Sequence, residues 1–248
     1  MFTISQEELD KKILAHVLYK QNAKSGSKLE LHNTDLRGLN FKLDISKINS
    51  FIASNGGSVA EYLDYFCEMS FTNCDFRGVH FSNMTLKLSE FKYCTLSGCY
   101  FISSNLHHVE FIECDMTFAK FNNARLNFVT LFKAQLRGVN FHGSNILESD
   151  LCKSSLIDTD LTHSMIHNTS LYNTDLTGAD LDFSNFQLSC NSLRIKKVDA
   201  RLVKQLLYHT LTLAKACDAP EVKQLLKLKS VKALANQFHR IDECGEIK

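Results

Sequence analysis

From Phe71 to Phe186 every fifth residue is Phe, Leu, Ile or Met, at 24 consecutive positions without exception, and the same frame holds at Leu31, Leu36 and Phe41. A period of five matches neither the 3.6 of a helix nor the 2 of a strand, so it belongs to a repeat architecture. Two residues before each bulky centre stands a small or medium one, such as Cys74, Val79, Cys94, Ala119, Ala134, Ser144, Thr159 or Ala179. The remaining places are mostly polar, as at Asn73, Asp75, Asn123, Asp160 and Asp180. One large and one small inward residue per five predict a chain that turns a corner every five residues. Four such sides close a square coil of about twenty, stacked at about 4.8 Å per coil.

Glycine supports that coil length independently. Gly38, Gly78, Gly98, Gly138 and Gly178 each stand two after a centre and differ by multiples of twenty. They are expected at one corner, where a positive φ favours glycine. By the same arithmetic Phe81, Phe101, Phe121 and Phe141 form one inward stack, and Phe71, Phe91 and Phe111 another.

Segments such as Thr174-Asp175-Leu176-Thr177-Gly178 and Ala179-Asp180-Leu181-Asp182-Phe183 resemble the A-(D/N)-L-x-x motif of the pentapeptide-repeat family. The resemblance covers about half of the chain. It implies a mostly β fold, the right-handed quadrilateral β-helix. The tail, from Gln205-Leu206-Leu207-Tyr208-His209 to Ala235-Asn236-Gln237-Phe238-His239-Arg240, resembles that of a group of bacterial members of the family, which bears on fold and origin but not on activity.

The flanks read as helix. Ser5 and Glu8 form a capping-box pattern ahead of Leu9, Ile13 and Val17, and residues 1–27 are expected to plug the N-terminal end of the rod. Residues 28–43 would be a first coil. Residues 44–69 form a helical insertion that preserves the frame, with a turn at Asn55-Gly56-Gly57 and a helix opening at Ser58 that carries Leu63 and Phe66. It reads equally as a cap layer or as a binding element. The β-helix proper spans 70–190. Residues 191–248 predict an αα-hairpin, with Leu202, Leu206 and Leu211 on one helix and Val222, Leu226 and Leu234 on the next, divided near Asp218-Ala219-Pro220.

The chain carries net charge +1, but residues 70–190 hold eight Lys and Arg against twelve Asp and Glu, and residues 191–248 hold twelve against six. Neither balance demands a nucleic acid, and direct binding to one is not expected. No apolar run reaches membrane-span length, and the charged N-terminus lacks an export signal, so the expected location is the cytoplasm. Delivery into a host cell as an effector stays open. The nine cysteines have no scaffold spacing and read as reduced thiols. Cys74, Cys94 and Cys114 should stack in one inward column as core.

The sequence holds no C-x-x-C, H-E-x-x-H, P-loop or dinucleotide fingerprint. His163 and His167 fall at different corners, so no metal and no cofactor is expected. His239, Glu243 and Cys244 contain the minimum for a thiolate nucleophile, but a helix end with Gly245 after it explains them as a cap. The chain is therefore read as a non-enzymatic protein-interaction scaffold. Its candidate surface is an outward apolar column, Ile112, Phe132, Cys152 and Tyr172, to which Phe118, Phe128 and Phe183 add outward aromatics. The expected occupants are the chain's own C-terminal hairpin folded back along the rod, a second copy (a homodimer through the hairpin included), or an unidentified protein. The resemblance also raises mimicry of duplex DNA to protect DNA gyrase, as in quinolone-resistance members; Arg77, Lys87, Lys92, Arg125 and Arg137 on the walls argue against it.

Overall fold

The computed structural model describes residues 1–21, 26–43, 45–55, 65–187, 195–214 and 227–237. It is a parallel β-solenoid of square coils, and the register is twenty throughout the rod. Phe71 pairs with Phe91 and Phe91 with Phe111, while Leu126, Ile146, Ile166 and Phe186 stack on another wall. Single bridges such as Asp75 to Thr95 and Asn140 to Asp160 continue the pairing on the other two walls.

The five-residue side is explained by where its backbone N–H groups go. The centre donates to the next coil, as Phe76 does to the Thr95 carbonyl at 2.8 Å. The residue before it donates to the preceding coil, as Thr95 does to Cys74 at 2.9 Å. The residue after the centre is served by the Asp or Asn side chain two places earlier: Asp75 Oδ1 accepts from the Arg77 N–H at 3.1 Å, and Asp115, Asn140, Asp160 and Asp175 repeat the bond. That Asx turn is the physical reason for the acidic or amide residue in the motif. The next N–H, at the corner, donates to the coil above (Asn73 to Lys92, 2.8 Å), and the last closes a turn onto the centre (Val79 to Phe76, 2.8 Å).

Every corner, not only the glycine column, has left-handed backbone. Leu88, Tyr93, Phe118, Phe128, Lys133 and Phe183 all sit there with φ between 54° and 59°. Each non-glycine corner costs about 1–2 kcal/mol of strain, which the lattice of inter-coil hydrogen bonds offsets.

Inside, the predicted ring stacks are present. Phe81, Phe101 and Phe121 are fully buried, with centroids 5.1 and 4.7 Å apart and planes within 14°. Phe111 meets Phe101 edge-on across the bore at 5.7 Å. Hydroxyls in the small inward slot donate to carbonyls of the centres: Ser104 to Phe101 and Thr174 to Leu171, three residues earlier and both at 2.7 Å, and Ser149 to Leu126 and Thr169 to Ile146, one coil earlier, at 2.8 and 2.9 Å.

The N-terminal mouth is closed by two helices. Helix α1, Gln6–Lys20, starts on the predicted capping box and buries Leu9, Ile13 and Val17. Helix α2, Ile45–Ser54, buries Ile48 and Ile52 in the same core and packs on α1. The insertion thus contains a helix that begins thirteen residues before the expected one, at Ile45 instead of Ser58, and its Ile48 and Ile52 stand one helical turn apart; the helix expected at Ser58 falls outside the described residues. The frame also resumes one repeat earlier than predicted. Phe66 is a centre: it packs on the core, and Glu68 forms a corner (φ 64°) whose N–H donates to the Lys87 carbonyl. Leu31 pairs with Phe71, so the first coil spans forty residues instead of twenty and still closes in register.

His16 of α1 is fully buried. Its Nδ1 accepts from the Leu29 N–H at 3.0 Å and its Nε2 donates to the Cys67 carbonyl at 2.8 Å. By the pattern of the rod the Cys67 carbonyl would accept from a coil below, and the Leu29 N–H would close a turn onto a centre three residues earlier. The imidazole replaces both partners, at the two points where the first coil opens and closes.

At the other end Lys197 pairs with Asp175, and Leu202 enters the main core from helix α3, Ala200–Ala214. Asp199 accepts from the Leu202 N–H with one oxygen and from the Gly178 N–H with the other, both at 2.8 Å. Tyr208 and Leu211 then begin a small second core with Ala235 of helix α4, Lys229–Ala235. This is the described part of the predicted hairpin; the Asp218-Ala219-Pro220 division lies outside it.

Two measurements follow from the core and the N-terminal clamp. Phe101→Ala should lower unfolding free energy by about 3–5 kcal/mol in a urea titration, because the stacked rings cannot collapse around the cavity. Burial, the largest influence on His16, lowers its pKa below the ordinary histidine value. The unfolded chain therefore binds the extra proton first, and the His16 contribution is full above about pH 6.5 and lost as pH falls below it. The fall in urea midpoint between about pH 7.5 and about pH 5 should be smaller in His16→Gln, which keeps a donor and an acceptor but does not titrate; equal falls would show that His16 is not the group responsible.

Candidate interaction surface

With the bore filled, chemistry is confined to the walls. The first wall carries three outward files. One residue before the centres stand Glu90, Glu110, Thr130, Asp150 and Ser170. One after stand Lys92, Ile112, Phe132, Cys152 and Tyr172. Two after, on the corner, stand Tyr93, Glu113, Lys133, Lys153 and Asn173.

The predicted stripe is therefore a real column, but not a bare one. Ile112, Phe132 and Cys152 are half-buried, and Tyr172 is 40% exposed. Lys133 and Lys153 lie over the Phe132 ring, with their Nζ atoms 5.4 and 5.3 Å from its centroid. Lys133 also pairs with Glu113 at 2.8 Å, and Lys92 with Glu90 at 2.9 Å. In its described residues the C-terminal hairpin sits on the last coil, where Arg201 pairs with Asp180 and Gln205 donates to Asp182. The expectation that it folds back along the rod to cover the stripe is not met at Tyr172.

The other three aromatics stand outside the column. Phe118 and Phe183 occupy corners away from the first wall, whereas Phe128 stands on a corner that edges it, in the column of His108. The Phe118 ring lies on the next coil's Gly138, where a Cβ would stand 2.5 Å from it. Phe128 stacks on His108 at 4.8 Å with His107 edge-on, and Phe183 stacks on His163 at 4.7 Å. The sequence reading missed Leu88 and Tyr93, exposed by 53% and 56% on the two corners that edge the first wall. Their place two after a centre was the available signal, since every such residue points away from the bore.

The described residues hold no cluster of three or more His, Cys, Asp or Glu able to bind a metal. No described helix is long and apolar enough to cross a membrane. Cys74, Cys94, Cys99 and Cys114 are free and buried, as the core reading required. The hydrogen bond with Cys114, reinforced by burial, pushes the Cys94 thiol up to about 12, and burial, with a smaller contribution from the Asp75 charge, does the same for Cys99. His239, Glu243 and Cys244 lie outside the described residues.

A family profile described as a pentapeptide repeat region matches residues 65–141, and one described as pentapeptide repeats (8 copies) matches 134–171 and 154–190. The first match begins beside Phe66, where the frame resumes. No curated protein sequence matches the chain. Among solved structures, HetL, a pentapeptide repeat protein involved in heterocyst differentiation regulation in the cyanobacterium Nostoc sp. strain PCC 7120, is similar at 15% identity and a TM-score of 0.38, over 70% of this chain and 87% of that one. Full-length QnrB1, a plasmid-mediated fluoroquinolone resistance protein, is similar at 14% identity and a TM-score of 0.31, over 74% of this chain and 97% of that one. A pentapeptide repeat protein of the Arabidopsis thaliana thylakoid lumen shares 25% identity at a TM-score of 0.29, over 41% of this chain and 68% of that one.

Native alkylation at about pH 8 should leave Cys94 and Cys99 unmodified while denatured protein reacts fully, because almost no thiolate forms at either site. Peptide mass spectrometry reads the difference, and rapid native labelling of either residue would contradict their placement in the bore.

Proposed function

This chain belongs to the pentapeptide-repeat family, and from that premise we propose that it acts as a non-enzymatic scaffold whose first wall docks a protein partner. The observation that carries the reading is the outward apolar file of Ile112, Phe132 and Tyr172, edged by Tyr93 and Leu88, on a solenoid whose inward positions are consumed by its own core. Side chains exposed in this way stand at fixed spacing on a hydrogen-bonded lattice, so little conformational entropy is lost on docking. Buried free thiols suit a reducing compartment, which supports a cytoplasmic location.

Mimicry of duplex DNA is the weaker reading. It would need a long file of unneutralised carboxylates, whereas here Asp35 and Asp75 are gripped by Arg37 and Arg77, Glu90 and Glu110 flank Lys92, and Asp158 and Asp180 face Arg137 and Arg201. The hydrogen-bonded Arg37 fork holds the Asp35 carboxyl down at about 2, so that pair persists across the physiological range.

A photo-crosslinking amino acid placed at Tyr172, and separately at Lys120 on the opposite wall, tests the docking reading in the cell of origin. Protein adducts are expected from position 172 and not from position 120. Equal yields at the two positions, or none at 172, would overturn it. A gyrase supercoiling assay with a quinolone separates the alternative, and no protection at excess protein is expected.

A further inference from the structure

We propose that His16 is an acid-sensitive latch: on taking up a proton it lets the N-terminal cap lift from the first coil while the coils above stay stacked. The ground is where the imidazole sits. Three stretches of chain meet around it: the last turns of α1, the entry to the first coil at residues 26–29, and the return of the frame at residues 66–68. Ser27 donates to the Ala15 carbonyl at 3.0 Å, and Gly26 lies against the α1 backbone at Leu18 and Tyr19, where a Cβ would have no room. Lys20 pairs with Glu68, next to Cys67. His16, reaching from α1, bonds to both of the other stretches at once.

Those two bonds have fixed polarity. The Leu29 N–H can only donate and the Cys67 carbonyl can only accept, so the ring serves both as the neutral tautomer with its hydrogen on Nε2. A proton added at Nδ1 aims a second N–H at the Leu29 N–H across 3.0 Å. Turning the ring over gives no relief, because both nitrogens then carry hydrogen. Nor is water at hand to accept it: His16 is fully buried and stacks on Tyr19, with centroids 5.7 Å apart.

The surrounding charges do not welcome an imidazolium either. Lys20 faces it from α1, Lys28 from the entry to the first coil, and Glu68 from the return of the frame; Tyr19 and Cys67 are its other titratable neighbours. Glu68 is the one carboxylate of this group, and Lys20 already holds it. Burial, the largest influence, keeps the folded pKa below the ordinary histidine value. An opened cap returns the ring to that value, about 6.5. Opening therefore takes up a proton: it is indifferent to pH above about 6.5 and favoured as pH falls below. Between pH 7.5 and 5.5 the open fraction should rise by up to about tenfold.

The opening is local because the two ends of the contact differ. Helices α1 and α2 cover the mouth from one side, whereas the coils above Phe71 are each held by neighbours on both sides. Lifting the cap bares the lower edge of the strand Glu30–His32 and the apolar mouth at Leu31, Leu36 and Phe41. Acid would thus expose an end of the rod that is closed at neutral pH, whichever wall docks a partner.

Hydrogen exchange of the full-length protein at pH 7.5 and 5.5, read by peptide mass spectrometry and corrected for the intrinsic effect of pH on exchange, tests the proposal. Peptides within 6–20 and 27–32 should be at least about tenfold less protected than those within 91–171, as a separate local opening requires. Their protection should fall a further five- to tenfold or about that at pH 5.5, a pH above the ordinary carboxylate range. His16→Gln keeps a donor and an acceptor without a titrating group, and its N-terminal protection should change by less than about twofold between the two pH values.

N-terminal protection equal to that of the rod at both pH values would overturn the proposal, since the molecule would then open only as a whole. So would a wild-type N-terminus indifferent to pH, or an undiminished acid response in His16→Gln. Should circular dichroism show that variant unfolded, the first two outcomes, both read on the wild type, decide by themselves.

Discussion

The structure depends on one constraint: a side only five residues long must bury two side chains and still find a partner for every N–H. A left-handed residue at the corner is the solution, because it turns the chain through a quarter of the coil while its own N–H stays aimed at the next coil. Isolated left-handed residues with Cβ atoms are costly, yet the rod places Leu, Tyr, Phe and Lys there. Each coil can bear that strain only because the coils above and below hold it in place. Stability therefore belongs to the stack and not to any repeat, as expected of a quasi-one-dimensional array.

The ends show what happens when a neighbour is missing. At the first coil the Cys67 carbonyl has no coil below to meet and the Leu29 N–H has no preceding centre to close onto, and one buried imidazole serves both. Above the last coil the Gly178 N–H has no carbonyl in register, since the returning chain pairs Asp175 with Lys197 at an offset of twenty-two; the Asp199 carboxylate accepts instead. Both side chains belong to the segments that cap the rod, so apolar closure and polar closure come together. Leu9, Ile13, Ile48 and Ile52 fill one mouth, and Leu202 fills the other. A helix that covered the bore without such a group would leave buried polar backbone unpaired at about 1–3 kcal/mol each.

Most of this architecture is legible in the sequence because the inward positions are chosen by volume and repeat on a lattice of fixed length. The stacks of Phe81, Phe101 and Phe121, the Cys74, Cys94 and Cys114 slot and the capping box at Ser5 need only counting. Three things were not legible. Corner backbone at Phe118 or Tyr93 carries no composition signal, because the lattice, not the residue, enforces it. Phe66 looked helical because local helix spacing and the repeat frame overlap there, and only pairing to the coil above decides between them. His16 gave no sign of its role, because its two partners lie thirteen and fifty-one residues away. On the surface, the apolar file could be counted out, but the lysines lying over Phe132 depend on side-chain directions that spacing does not encode.

Stacking identical coils also governs what the walls can carry. Residues twenty apart are cross-strand neighbours about 4.8 Å from one another, so a file of one charge repels itself along its whole length. This chain meets the difficulty by neutralising within the wall: Arg37 bridges Asp35 and Asp75, and Lys92 lies between Glu90 and Glu110. Where the first wall departs from that practice, with Lys133 and Lys153 stacked in succession on the corner, the two ammonium groups share the face of one phenylalanine instead of a carboxylate between them. Glu113, in the preceding coil of the same file, pairs with Lys133 at 2.8 Å and takes up one of the two charges, so the neutralisation that the other files achieve between neighbours is reached here at one end of the pair.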